Sequence, residues 1–380
     1  MQFVGTLTLI LIIAVFIGHL FARFGLPAVM GELITGIILG PACLNLIHLS
    51  YEIRIFSNIG VICLMFLAGL ESNFSLLKKY WKSSTIIAFC GVILPIIVMG
   101  FSSLCFHVSL NESFFIGVIF STTSVSISVI VLREFNYLNS IEGANILGAA
   151  VVDDIFGVLL LSLMVFLLSS KHQSSSYLFT KIIFQILFFV FVYLMIKWLV
   201  PMILRMSHKI LIPNNITIMA MIICLFVSYL ADKVGLSGAI GAFFAGIAVA
   251  QTGVRDLVDS HIEPIGQTIF IPVFFVSIGL EVVFLDIKKS LFFIVIMTVL
   301  SILTKWLGCG LGAWLAKFNL HSQNIIGAGM VARGEMALIT AQIGFNYHLL
   351  NHALYINIIL VIVLATLVAP IMLRNALKTN

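Results

Sequence analysis

Ala149-Ala150-Val151-Val152-Asp153-Asp154-Ile155-Phe156-Gly157 sets two adjacent carboxylates at the middle of an apolar run from about Ile141 to Ser169. A run of that length can cross a bilayer, which takes about 20 residues. Each acidic residue at mid-bilayer costs about 2.5–3.5 kcal/mol on insertion scales, and two neighbours add mutual repulsion. Ionisable groups at that depth mark ion and proton paths. Adjacent residues lie about 100° apart around a helix, so one carboxylate can pair inside the protein while the other faces a water-filled cavity.

The rest of the chain supports a membrane reading. Its 380 residues are 61% hydrophobic and only 9% charged, with a mean hydropathy of +1.20. That excludes a soluble globular enzyme and points to an all-α polytopic membrane protein. The net charge of +5 does not imply nucleic acid, because the basic residues sit singly or in small loop clusters. The first apolar run, Phe3 to Ala22, lacks a basic leader and a small-residue cleavage site, so it reads as a retained span. The six cysteines form no CxxC or Cys/His cluster. They read as packing residues, and neither a resident metal nor a cofactor is expected.

About 13 transmembrane helices can be read, near 3–22, 26–42, 55–71, 83–107, 112–133, 141–169, 178–204, 215–231, 236–252, 262–281, 289–316, 322–347 and 353–373. Loops are short, and no soluble domain is expected after the last span. Loops following odd-numbered spans, with the C-terminus, hold 12 Lys and Arg, against 6 on the other side, Lys171 and Lys209 among those counted. The excess predicts a cytoplasmic C-terminus and an external N-terminus.

Shifting the chain by 210 residues places Leu26, Gly31, Gly36 and Ile37 on Leu236, Gly241, Gly246 and Ile247. It also places Gly69-Leu70-Glu71 on Gly279-Leu280-Glu281, and Ile116-Gly117 on Ile326-Gly327. The shift spans seven predicted helices, an odd number, so two six-helix repeats would be inserted upside down relative to each other. Inverted repeats are the sequence mark of alternating-access transporters. Span seven, at 176–207, becomes the linker.

Three further polar stations lie at span centres. Ser121-Thr122-Thr123-Ser124 favours local side-chain hydrogen bonds over regular helix, and a break at mid-membrane survives only in protein or against a cavity. The plainer alternative is hydroxyls bonding to their own helix. Arg333-Gly334-Glu335 falls in the repeat partner of that span, and its charges are expected to offset the ends of crossing, broken half-helices. Lys305 needs an acidic partner at its depth; Asp153 is the expected one, with Glu335 as the alternative. Glu32, Glu71 and Glu281 are read as interfacial or capping residues.

With these residues the chain resembles the bacterial antiporters of the monovalent cation:proton antiporter-2 family, in particular its short sodium/proton exchangers. The resemblance implies that Asp154 carries the ion and the proton, and that Asp153 forms a breakable salt bridge with Lys305. It implies a scaffold and dimerisation part at 1–75 and 210–285, and a transport core at 80–170 and 286–380 that slides past it as an elevator. Expected partners are Na⁺ (or Li⁺), H⁺, membrane lipids and a second copy of the chain, in the bacterial inner membrane, with a role in pH homeostasis. K⁺/H⁺ exchange or K⁺ efflux is the alternative, and a passive cation channel a remote one. An intramembrane aspartyl protease needs two Asp on different helices, and no GxGD is present.

Overall fold

The computed structural model describes residues 2–24, 27–168, 175–207, 211–283, 287–346 and 349–378. Leu26, Lys171 and Lys209, used above for the repeat and the orientation, lie outside them. Among the described residues all regular structure is helical. In hydrocarbon a backbone must satisfy its own hydrogen bonds, and a helix does so within one segment. Nine helices among the described residues are long and apolar enough to cross a membrane.

Chain contacts divide the protein into two units. The first comprises Met1–Ser50, Leu76–Gln173 and Phe275–Asn380. Its helices are α1 (Gln2–Arg23), α2 (Ala28–Leu39), α4 (Phe74–Cys105), α5 (Leu110–Ile119), α6 (Val125–Glu134), α7 (Ile141–Leu168), α14 (Ile287–Leu315), α15 (Leu320–Gly329), α16 (Glu335–Asn346) and α17 (His352–Lys378). The second comprises Tyr51–Ser75 and Ser174–Phe274. It holds α3 (Tyr51–Glu71), α8 (Ser175–Leu194), α9 (Val200–Ser207), α10 (Asn215–Lys233), α11 (Gly238–Ala250) and α12 (Arg255–Ile265). A π-helical turn at Met195–Leu199 joins α8 to α9, and another at Gly266–Phe270 joins α12 to α13 (Ile271–Leu280).

Features recur at the 210-residue spacing. α5 and α15 start at Leu110 and Leu320, and α4 and α14 end at Cys105 and Leu315. The turns between them hold the positive-φ residues His107 and Lys317, followed by the N-caps Ser109 and Asn319. The glycine seams recur too. In the first unit a Cβ on Gly36 would lie 2.0 Å from Val276 O, and its backbone faces Gly279. In the second unit a Cβ on Gly246 would lie 2.2 Å from Phe66 O, beside Gly69. Only glycine lets helix backbones approach so closely.

The lengths of the first unit's helices position the site. α4, α7 and α14 run 32, 28 and 29 residues. α5 and α6 have 10 each, separated by 120–124, and α15 and α16 are separated by 330–334. The hydroxyl run and the Arg-Gly pair thus occupy two gaps in helix, and side chains from the long helices reach into them.

Candidate functional site

Asp153 and Asp154 lie midway along α7, and both are buried, at 0% and 8% exposure. Asp153 is the enclosed member; Asp154, turned about 100° away, keeps an edge accessible. Lys305 on α14 is fully buried, and its Nζ lies 2.9 Å from Asp153 Oδ1. The same ammonium donates to the carbonyl of Ser121. Gly91 on α4 makes room for this lysine: a Cβ there would sit 2.3 Å from Cys309 Sγ and 3.6 Å from Lys305 Cε.

The first gap begins where α5 ends at Ile119. A helix's last carbonyls lack intrahelical donors and carry partial negative charge. Here the residues just past the helix cap those carbonyls themselves, and two cations take the next carbonyls, in the gap. Lys305 takes Ser121 O, and Arg333, itself fully buried, donates through Nη1 to Thr122 O at 2.7 Å. Its Nη2 donates to Ser301 O on α14 at 2.9 Å. Arg333 therefore ties the two gaps and α14 together.

Hydroxyls serve the second gap. Ser128 Oγ donates to Gly329 O at the end of α15. Thr366 Oγ1 on α17 lies within hydrogen-bonding reach of Arg333 O and of Ile362 O, and its one proton serves one of them at a time. The two gaps meet directly: Ser124 N–H donates to Ala332 C=O at 2.8 Å. A Cβ on Gly334 would lie 2.4 Å from Ser124 Oγ, so the crossing needs glycine there.

The sequence-predicted residues divide as follows. Ser121 and Thr122 turn their hydroxyls back to Val118 O and Ile119 O, the local bonding held above as the plainer alternative, while their carbonyls receive the cations. Thr123 Oγ1, Ser124 Oγ and Asp153 Oδ2 are buried without a hydrogen-bond partner among the described residues. They are oxygens able to ligate a cation. Glu335 is the first residue of α16, where an acidic charge is favourable; its side chain lies outside the described residues. Glu32 Oε2 is buried in α2 with no hydrogen-bond partner among the described residues, so the interfacial reading above does not hold for that oxygen.

Ser301, Ser128 and Thr366 were missed by sequence reasoning. Ser301 lies four residues before Lys305, on the same helical face, but it serves Arg333 through its backbone carbonyl, which no side-chain pattern marks. Among the described residues no three His, Cys, Asp or Glu converge on a metal position.

A family model described as "Sodium/hydrogen exchanger, transmembrane" matches residues 8–379. The chain is 46% identical to a Na⁺/H⁺ antiporter of Enterococcus hirae, over 100% of this chain and 99% of that relative. It is 39% identical to the Na⁺/H⁺-K⁺ antiporter GerN of Bacillus cereus, over 98% and 96%. In fold it is similar to the sodium proton antiporter MjNhaP1 of Methanocaldococcus jannaschii, with a TM-score of 0.72 at 17% identity, covering 100% of this chain and 98% of that one.

Proposed function

The chain belongs to the sodium/hydrogen exchanger family, and on that premise we propose that it exchanges Na⁺, or Li⁺, for H⁺ across the membrane at Asp154. One observation carries the reading. A fully buried Lys305–Asp153 pair stands beside a less enclosed Asp154, against the meeting point of two interrupted helices. Asp154 takes either a proton or a cation, never both. The free oxygens of Thr123 and Ser124 supply further ligands to a cation that sheds water. Competition for one carboxylate is the coupling, because the site crosses loaded with one ion or the other. If Asp153 and Lys305 also release their protons, two H⁺ move per Na⁺, and each net charge gains about 2.3 kcal/mol per 100 mV.

The scaffold for this movement is thirteen crossings, with α5–α6 and α15–α16 each forming one interrupted crossing. The recurrence at 210 residues is read as two inverted repeats, the architecture of alternating access. Residues 80–170 and 286–380 form the moving core, residues 1–75 and 210–285 a scaffold that pairs with a second copy, and 176–207 the link. The Lys and Arg excess puts the C-terminus in the cytoplasm of a bacterial inner membrane. A second reading, K⁺/H⁺ exchange or K⁺ efflux, is favoured by the relative described as a Na⁺/H⁺-K⁺ antiporter.

The test is proton flux in proteoliposomes, titrated with Na⁺, Li⁺ and K⁺ at several pH values. Asp154→Asn should fold and exchange nothing. In the unaltered chain half-saturation for Na⁺ should rise by about tenfold per unit of falling pH where H⁺ competes. Cation flux without proton counter-movement, or exchange that survives Asp154→Asn, would overturn the reading.

A further inference from the structure

Beyond the ion site, a groove of about 580 Å³ runs along the outside of the α14–α15 hairpin. Trp306, Gly310 and Trp314 line it from α14 at four-residue spacing, so the glycine is a notch between two indoles. The groove's polar side chains are turned to internal partners. Trp306 Nε1 donates to Asn324 Oδ1 at 3.0 Å, and Gln323 Nε2 to Phe318 O at 2.7 Å. What remains is apolar and open to the outside, with Trp314 60% and Leu320 81% exposed.

We propose that this groove binds one anionic glycerophospholipid of the leaflet that meets the lysine-rich end of the protein. Length and charge argue for that occupant. Trp306 adjoins Lys305, at the depth of the ion site, and Trp314 is eight residues on. That is about 12 Å of helix, close to one leaflet of a hydrocarbon core about 30 Å thick. An acyl chain lying between the indoles therefore brings its headgroup to the turn after α14. Lys317 is exposed in that turn, with its backbone in the left-handed region. Phe318 lies 6.3 Å from the Tyr80 ring, which brings the exposed Lys78, Lys79 and Lys82 of α4 to the same end. The acid nearby, Glu142, is held by Ser322 Oγ at 2.5 Å. His321 adds no negative charge, so a phosphate meets a cationic collar, while a zwitterionic headgroup gains less.

The inference depends on the membrane reading but not on which ion is carried. Its ligand would bridge the helix of Lys305 and the helix leading into the Arg333 gap. The test uses the full-length protein purified in detergent, with phosphatidylglycerol or phosphatidylcholine added. Retained lipid is counted by native mass spectrometry, and the melting temperature is followed.

Phosphatidylglycerol should be retained and should raise the melting temperature more than phosphatidylcholine, by a margin that shrinks with salt. A Cβ on Gly310 meets only Gln323 O, at 3.7 Å, so Gly310→Leu fills the groove without a backbone clash. It should abolish retention of phosphatidylglycerol while a cooperative melting transition in detergent still shows a folded protein. Joint Lys79→Gln and Lys317→Gln changes leave the groove intact and should erase only the headgroup preference, which keeps the proposal testable if Gly310→Leu does not fold. Equal effects of the two lipids, phosphatidylglycerol retention unaltered in Gly310→Leu, or a change of oligomeric state with lipid binding untouched would each overturn it.

Discussion

Lys305 and Asp153 form a buried ion pair whose strength can be isolated by a double-mutant cycle. Both side chains are fully buried, and the contact is 2.9 Å, so salt screening hardly touches it. Lys305→Met strands the Asp153 charge, and removing one partner of a buried pair costs about 3–5 kcal/mol. It also takes the donor from Ser121 O, which adds about 1–3 kcal/mol. Asp153→Asn is milder, near the lower bound of about 3 kcal/mol, because Lys305 keeps its bond to the Ser121 carbonyl. The double variant strands no charge and loses mainly the Ser121 contact, about 1–3 kcal/mol.

The expected coupling is therefore several kcal/mol, and the double variant should be more stable than Lys305→Met alone. Equilibrium unfolding of the purified protein in detergent, at one pH for all four forms, measures it. Pairs that do not interact add within about 0.5 kcal/mol. A double variant whose loss equals the sum of the single losses would refute the pairing, whatever happens to transport.

Two other changes probe the crossing. Gly334→Ala places a methyl 2.4 Å from Ser124 Oγ. It should cost about 1–3 kcal/mol of stability and slow exchange strongly, read as flux per folded protein in proteoliposomes. Thr366→Val removes the hydroxyl that faces Arg333 O and should destabilise by about 1–3 kcal/mol. Its Na⁺ half-saturation should stay near that of the unaltered chain, because Thr366 lies on the Arg333 side of the gap.

The sequence made the helices, both gaps and the charged centre legible, because each is a local departure from an apolar pattern. The hydroxyl run marks 120–124 and Arg333-Gly334 marks 330–334. Helix ends were less legible. α4 begins at Phe74 and α12 at Arg255, several residues before the apolar runs predicted from 83 and 262. Hydropathy senses where lipid begins, whereas a helix continues while its backbone bonds do, and here it carries Lys78 and Asp256 beyond the apolar stretch. Ser301 was illegible for another reason. Its hydroxyl bonds to Thr298 O within its own helix, and what it offers Arg333 is a backbone carbonyl that any residue would present. Thr366 likewise bonds one turn back, to Ile362 O, so its reach to the second gap depends on helix packing that no local pattern encodes.

The recurrence at 210 residues matters most where it fails. Pro95 stands 210 residues before Lys305, and Val363 and Leu364 stand 210 residues after Asp153 and Asp154. Both gaps interrupt helices at the same spacing, yet cations take the Ser121 and Thr122 carbonyls of the first gap, whereas a hydroxyl takes Gly329 O at the end of α15. Both buried cations therefore act on the first gap. Na⁺ and H⁺ each add one formal positive charge to the Asp154 carboxylate, so a site holding either one carries the same net charge, one unit above the empty site. Moving an uncompensated charge through a low-dielectric interior costs several kcal/mol. On the proposed reading a one-for-one exchange keeps the two loaded forms alike in charge, and both avoid the penalty that the bare Asp154 carboxylate meets in the empty one. On that reading strict exchange follows from the difference, and it depends on two segments 210 residues apart that share a helix–gap–helix pattern but differ at the ion site.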